Sequence, residues 1–266
     1  MRARVMGIAL AIVIGAAALV ASLSHVTYAS QDREATFASS SSQHWAGTDS
    51  LGRDRGVRAA AALLIGLGGA TAGAALTTSI AAVFGLIAAL SHRWIAAALM
   101  FISDVFLSLP WLFLLMMARA ALPLTTSPAH TAVLTFLCLA AFGWPACARV
   151  IYRGTRALQA AEWLTHGRAC GLKTPQLIRL HLLPHLAPLL IPQFLICIPV
   201  FIVGEANLGA LGLGIGEPLP SWGGMLLELD NSAMLARSHW AYFPIALLVV
   251  VLFLLESVTS REEYHA

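Results

Sequence analysis

Six apolar stretches limit what this chain can fold into: Val5–Leu23, Ala59–Leu90, Trp94–Ala118, Ala129–Ile151, Leu186–Val203 and Tyr242–Glu256. Most lie near or above the roughly 20 residues that cross about 30 Å of hydrocarbon. Only 11% of the 266 residues are charged and 59% are hydrophobic, against roughly 25% charged in a soluble domain. A soluble globular domain is thereby excluded. The stretches are rich in Leu and Ala and lack alternation of period two, which predicts helices rather than a barrel. The expected fold class is an all-α polytopic membrane helical bundle with about six transmembrane helices. The second stretch has 32 residues and would measure about 48 Å, so it must tilt or begin outside the hydrocarbon.

Arg2 and Arg4 precede the first stretch, which reads as an uncleaved anchor rather than a signal peptide because it is long and "VTYASQ" is a weak cleavage site. The chain divides into an anchor helix with an outer segment, 1–58, and a main transmembrane domain, 59–266. With the N-terminus placed inside and the spans alternating, 10 of the 16 basic residues fall on the inner face, and the net charge is +7 inside and −2 outside. That partition obeys the positive-inside rule, so both termini and the long Arg149–His185 loop are expected in the cytoplasm. The four cysteines, Cys138, Cys147, Cys170 and Cys197, lack metal-ligand spacing and read as buried reduced thiols.

Within the long loop, Gln159–Cys170 reads as a helix that ends at Gly171, a residue able to take positive φ. Thr174 is an expected N-cap and Pro175 an expected first helical residue, so a second helix should start there. Pro184, Pro188 and Pro192 recur every four residues and should bend the entry of the fifth span. On its own the helix-turn-helix is either a solvated connector or a docking surface for a soluble partner.

The pattern resembles the inner-membrane permease subunits of binding-protein-dependent ABC importers, in the dipeptide, oligopeptide and nickel branch. Gly171 is followed twelve residues later by Leu183-Pro184, as in that family's ATPase-coupling loop, and His181 falls where the peptide branch often has histidine. "GTDSLGRD" (Gly47–Asp54), "DVFLSLP" (Asp104–Pro110) and "EANLGALGLGIGEPLPSWGGML" (Glu205–Leu226) resemble further family segments in family order. The resemblance implies that Glu162, Thr165, His166, Gly167, Arg168, Gly171, Leu172, Lys173, Leu183 and Pro184 meet an ATPase. It implies that Glu205, Gly212, Gly214, Pro220, Ser221, Trp222 and Gly223 form an outer loop where a solute-binding protein docks. Thr165 stands where the family has glutamate, His166 and Gly167 where it has two alanines, and the family's C-terminal tail is poorly matched. The partners implied are a second homologous permease, one or two ABC ATPases and an extracytoplasmic binding protein, in the bacterial cytoplasmic membrane.

"GLGIGE" lacks the βαβ setting of a dinucleotide fingerprint, and no Walker A sequence is present. His181 and His185, four apart with Pro184 between them, have no third ligand, so no metal is expected, and no nucleophile elbow occurs. The chain is expected to be a non-catalytic subunit without its own cofactor, ATP and Mg being bound by the partner ATPases. The alternative weighed is a stand-alone ion- or proton-coupled carrier, which would commonly show internal repeats. Two acids fall inside apolar stretches. Asp104 is expected at mid-depth and bonded to a neighbouring helix, and Glu256 near the inner end, in reach of water.

Overall fold

The computed structural model describes residues 2–122, 127–159, 161–230 and 239–262, without the side chains of residues 2–4, 163–165, 168, 230, 239 and 260–262. Helices run in the order α1 (Arg2–Leu23), α2 (Arg55–Leu90), α3 (Arg93–Ser108), α4 (Trp111–Ala121), α5 (Pro128–Leu158), α6 (Glu162–Ala169) and α7 (Thr174–Leu177). A π-helical turn, Ile178–Leu182, leads into α8 (Leu183–Ala210), followed by α9 (Trp222–Leu227) and α10 (Phe243–Glu262). Among the described residues the single β feature is an isolated bridge between Thr48 and Asp54.

The core forms around α2. Its buried Gly66, Ala70, Gly73, Ala74, Thr77, Ala81, Gly85 and Ala88 recur at helical spacing, a small-residue stripe that lets neighbouring backbones approach without needing a hydrophobic driving force. Gly69 abuts Phe136 and Gly85 abuts Ala148 and Ile151, so α2 and α5 run in the same direction. The Thr77 hydroxyl donates to the Ala140 carbonyl at 3.2 Å across that contact. Leu189 of α8 fills the space at Gly154 and Phe201 that at Gly143, so α8 runs opposite to α5. Asp54 starts α2 as its N-cap, accepting from the Val57 amide at 2.9 Å. α10 begins beside Trp45, whose ring meets Phe243 edge to face at 5.0 Å between centroids. The bundle thus has a loop end, carrying residues 159–182, and a cap end, carrying residues 24–54 and 211–230.

Five helical runs are long and apolar enough to span a membrane, and α3 with α4 forms a sixth, broken by 86°. The unbroken third span expected at Trp94–Ala118 is therefore corrected. Pro110 explains the break: the residue before a proline is pushed out of the helical region, and Leu109 has φ −88°, ψ 141°. Because α2 and α5 are parallel, the α3–α4 pair must still return the chain to the cap end, so the count of six crossings stands. The fifth span also differs. Thr174–Ala210 is one helical run, seven residues longer than expected at the cap end, so Glu205 and Gly209 belong to a helix rather than to a loop. Cys138, Cys147 and Cys197 are buried, whereas Cys170 is exposed at the end of α6, where the turn lies outside any span.

Candidate functional site

At the loop end, α6 stops at a positive-φ glycine as expected: Gly171 has φ +79°. The Leu172 amide reaches back to the Gly167 carbonyl at 3.2 Å and the Cys170 amide to the His166 carbonyl at 2.9 Å, closing the helix in the manner of a Schellman turn. No atom lies within 4 Å of a Cβ built at Gly171, so the glycine is required by backbone conformation rather than by space. Gly167 is packed more closely. A Cβ there would stand 2.7 Å from Leu177 Cδ2 and 3.5 Å from Leu172 Cδ1, side-chain tips that can shift for a methyl group but leave little room for anything larger. The second helix starts one residue earlier than expected. Lys173 takes the N-cap position and Thr174 is already helical; the Lys173 amide donates to Gln176 Oε1 at 2.9 Å. Among the remaining expected coupling residues, Glu162 and His166 are exposed on α6, Lys173, Leu183 and Pro184 are exposed, and Leu172 is half-buried. The side chains of Thr165 and Arg168 lie outside the described residues.

This helix-turn-helix is rooted in the bundle. Leu177, Leu182 and Leu186 form a buried cluster joined by Leu86 of α2, Leu158 of α5, Leu172 and Leu189. Pro184 cannot donate to the turn before it, and the chain widens there into the π-turn Ile178–Leu182. The His185 ring nitrogen Nδ1 lies 2.6 Å from the His181 carbonyl and supplies a donor in that turn. At the base of the loop, Gln159 Nε2 donates to the Ala89 carbonyl at 2.8 Å, tying it to the end of α2.

At the cap end, α8 closes on the same geometry. Gly212 has φ +75°, with the Leu213 amide on the Leu208 carbonyl and the Gly212 amide on the Gly209 carbonyl, both at 2.9 Å. The chain then folds back so that α9 lies on the last turns of α8. A Cβ at Gly209 would stand 2.5 Å from Gly223 Cα, and one at Gly214 2.4 Å from Gly209 Cα; three backbones pack where no side chain fits. Ser221 caps α9 by accepting from the Gly224 amide at 3.1 Å, and Pro220 is buried beside it. Glu205, 1% exposed, faces that start, where its polar neighbours are the Trp222 and Gly223 amides and the Ser221 hydroxyl. Neither of its oxygens meets a partner in full hydrogen-bonding geometry, so these donors are neighbours of the buried carboxylate rather than a closed cage around it. Trp222 is 1% exposed and its indole lies against Gly66 of α2. It anchors the cap to the core and offers no surface of its own.

The motif "GTDSLGRD" receives a role that sequence reasoning left unassigned. Asp49 accepts from the amides of Leu51 and Arg53, both at 2.9 Å, and from Arg53 Nε at 2.6 Å. Arg53 and Arg58 both reach Glu217 in the fold-back loop, with Arg58 Nη2 2.9 Å from Oε1. Glu228, just past α9, lies 3.6 Å from Arg53 and 3.9 Å from Arg58. Burial, reinforced by Asp49 and opposed by Arg58, Arg53 and Arg55, pushes its carboxyl up to about 7. Burial would lower Arg53, but its hydrogen bonds to Glu217 and Asp49 outweigh that and raise it. The cluster pins residues 24–54 to the cap. Asp104, in turn, is half-exposed and paired with Arg149 of α5; the adjacent Ser103 donates to the Pro145 carbonyl at 3.1 Å. Among the described residues no group of three His, Cys, Asp or Glu could hold a metal ion.

Residues 81–258 match the profile of the binding-protein-dependent transport system inner membrane component. The chain is 30% identical over 211 residues to the oligopeptide transport system permease protein OppC of Haemophilus influenzae, covering 79% of this chain and 65% of that protein. It is 30% identical over 217 residues to OppC of Mycobacterium tuberculosis, covering 79% and 70%. To the glutathione transport system permease protein GsiD of Pectobacterium atrosepticum it is 32% identical over 213 residues, covering 80% and 68%. The chain thus spans about two thirds of the length of the curated relatives it matches.

Proposed function

Because the chain belongs to the family of binding-protein-dependent transport system inner membrane components, we propose that it is the permease subunit of an ATP-driven importer, forming half of a pathway for peptides or a similar small solute. The relatives named for oligopeptide and glutathione transport support that solute class, and none favours a stand-alone carrier. The observation that carries the reading is the loop-end helix-turn-helix. α6 and the Gly171 turn are fastened through Leu177 and Leu182 to α2, α5 and α8, as an element must be if movement of a docked partner is to move the bundle.

In this reading the loop end and both termini are cytoplasmic and an ATPase cleft receives α6, Gly171 and Lys173. ATP and Mg are bound there, while this chain catalyses nothing. Closure of the ATPases drives the helix-turn-helix as a rigid body and repacks the spans. A second, homologous permease completes the pathway. The cap, pinned by Arg53 and Arg58, is where the solute-binding protein docks. Purification of the tagged chain in mild detergent tests the reading: an ABC ATPase should accompany it, and uptake should persist without a proton gradient but stop when ATP is depleted. Purification without an ATPase, with uptake that follows the proton gradient, refutes it.

A further inference from the structure

Glu256 occupies a place where a carboxylate is costly. It belongs to the segment Trp240–Thr259, of mean hydropathy 2.3, and is exposed on the side of the bundle. It lines an open cavity of 320 Å³ together with Trp111, Val203, Asn207, Leu252 and Thr259. Val203 and Asn207 come from the last two turns of α8, so Glu256 is level with the cap-side part of α8 and not at the inner end expected from sequence. The difference follows from where α10 begins, at Phe243 beside Trp45; thirteen residues further on is only about 20 Å along the helix. Among the described residues no cation pairs with Glu256, and Thr259 Oγ1 donates to its backbone carbonyl at 3.0 Å rather than to its carboxylate.

Ionisable groups inside spans face bundle interiors or water-filled passages and are paired there. This one faces an open groove in which no described side chain supplies the counter-charge. The groove wall combines the carboxylate with the Asn207 amide and the Trp111 ring, a donor-acceptor group and a π face, over side chains that are apolar except for Thr259. That set suits an organic cation, and the volume falls in the range of small-molecule sites, about 300 to 1,000 Å³. We propose that the groove is a cation subsite on the solute pathway, in which Glu256, Asn207 and Trp111 take the ammonium group of an amine-bearing solute such as the free N-terminus of a short peptide. The inference rests on the peptide-permease reading above.

The test compares cells lacking the gene and complemented with wild type, Glu256→Gln, Glu256→Asp or Asn207→Leu, with membrane abundance matched by immunoblot. The readout is the efficiency of radiolabelled trialanine uptake. Glu256→Gln should lower it about tenfold, the scale of one charge-assisted hydrogen bond, whereas Glu256→Asp should stay within about threefold of wild type. A packing role reverses that order, since Gln keeps the shape and Asp does not. Wild-type efficiency in Glu256→Gln, or a larger loss in Glu256→Asp, overturns the proposal. If Glu256→Gln fails to accumulate, Asn207→Leu carries the test, with a loss supporting the subsite and wild-type efficiency refuting it. Absence of trialanine uptake in the wild-type strain would instead remove the peptide reading, and the subsite with it.

Discussion

Replacing Gly209 by alanine separates the two forces that act on a glycine inside a helix. In an exposed helix the exchange is favourable by about 1 kcal/mol. Here the new Cβ would stand 2.5 Å from Gly223 Cα, 2.8 Å from Gly223 C and 3.2 Å from Gly224 N. All three are backbone atoms, and none can rotate away. To reach ordinary contact α9 must withdraw by about 1 Å, and overpacking of this kind costs about 1 to 3 kcal/mol. The clash should therefore win, leaving Gly209→Ala destabilised by about 1 kcal/mol. Gly216 is the matched control, since it has no atom within 4 Å of its Cβ position and no positive φ. Gly216→Ala should gain up to about 1 kcal/mol by restricting the unfolded chain. The two variants should thus differ by about 2 kcal/mol, or about 4 to 8 °C in melting temperature for a domain of this size. Thermal unfolding of the detergent-solubilised protein measures it. Gly209→Ala melting at or above Gly216→Ala would show that α9 does not lie on α8 as described.

Three further outcomes follow from the same contacts. Gly171→Val should strain the turn by about 1 to 2 kcal/mol while leaving membrane insertion intact, so that ATPase copurification or solute uptake falls; normal values for both would reduce the loop to a connector. Trp222→Ala should cost about 3 to 5 kcal/mol through the cavity it leaves, read as a large fall in melting temperature, and an unchanged melt would refute its role as anchor. Glu228 titrates higher in the folded protein than in the unfolded chain, where its value is 4.5, so folding favours its protonated form. Its contribution to stability is fully present below pH 4.5 and is lost as pH rises through about 7. Melting curves of wild type and Glu228→Gln should accordingly diverge in favour of Gln between about pH 5 and pH 8; parallel curves refute the assignment.

Much of this architecture was legible because it is written in local chemistry. Apolar length gave the spans, and Gly171 announced a turn that needs no tertiary contact to be recognised. The break in the third span was equally local. Pro110 lies in "SLPW", and the restriction on its preceding residue is a signal that the eye passes over in an apolar run. The cap-end limit of α8 differs from the sequence reading for another reason: glycine and glutamate at 204 and 205 look like a loop until α9 covers them. The arginine cluster was beyond reach, since Arg53 and Glu217 are 164 residues apart and no periodicity connects them. The depth of Glu256 likewise depended on where α10 begins, which only the packing of Phe243 on Trp45 decides.

The run from Thr174 to Ala210 is a single rod of 37 residues, about 55 Å from end to end. Its two ends are the Gly171 turn and the Gly212 turn, so the two signatures that look unrelated in the sequence are the two handles of one lever. In the importer proposed above, a stroke applied at the first handle reaches the second along this one helical run. Pro188, Pro192 and Pro199, which remove backbone hydrogen bonds from its middle, are where it would bend. If the proposed coupling holds, lesions at Gly171 and at Gly209, at opposite ends of this run, should then fail in the same way, with uptake lost while the chain still inserts.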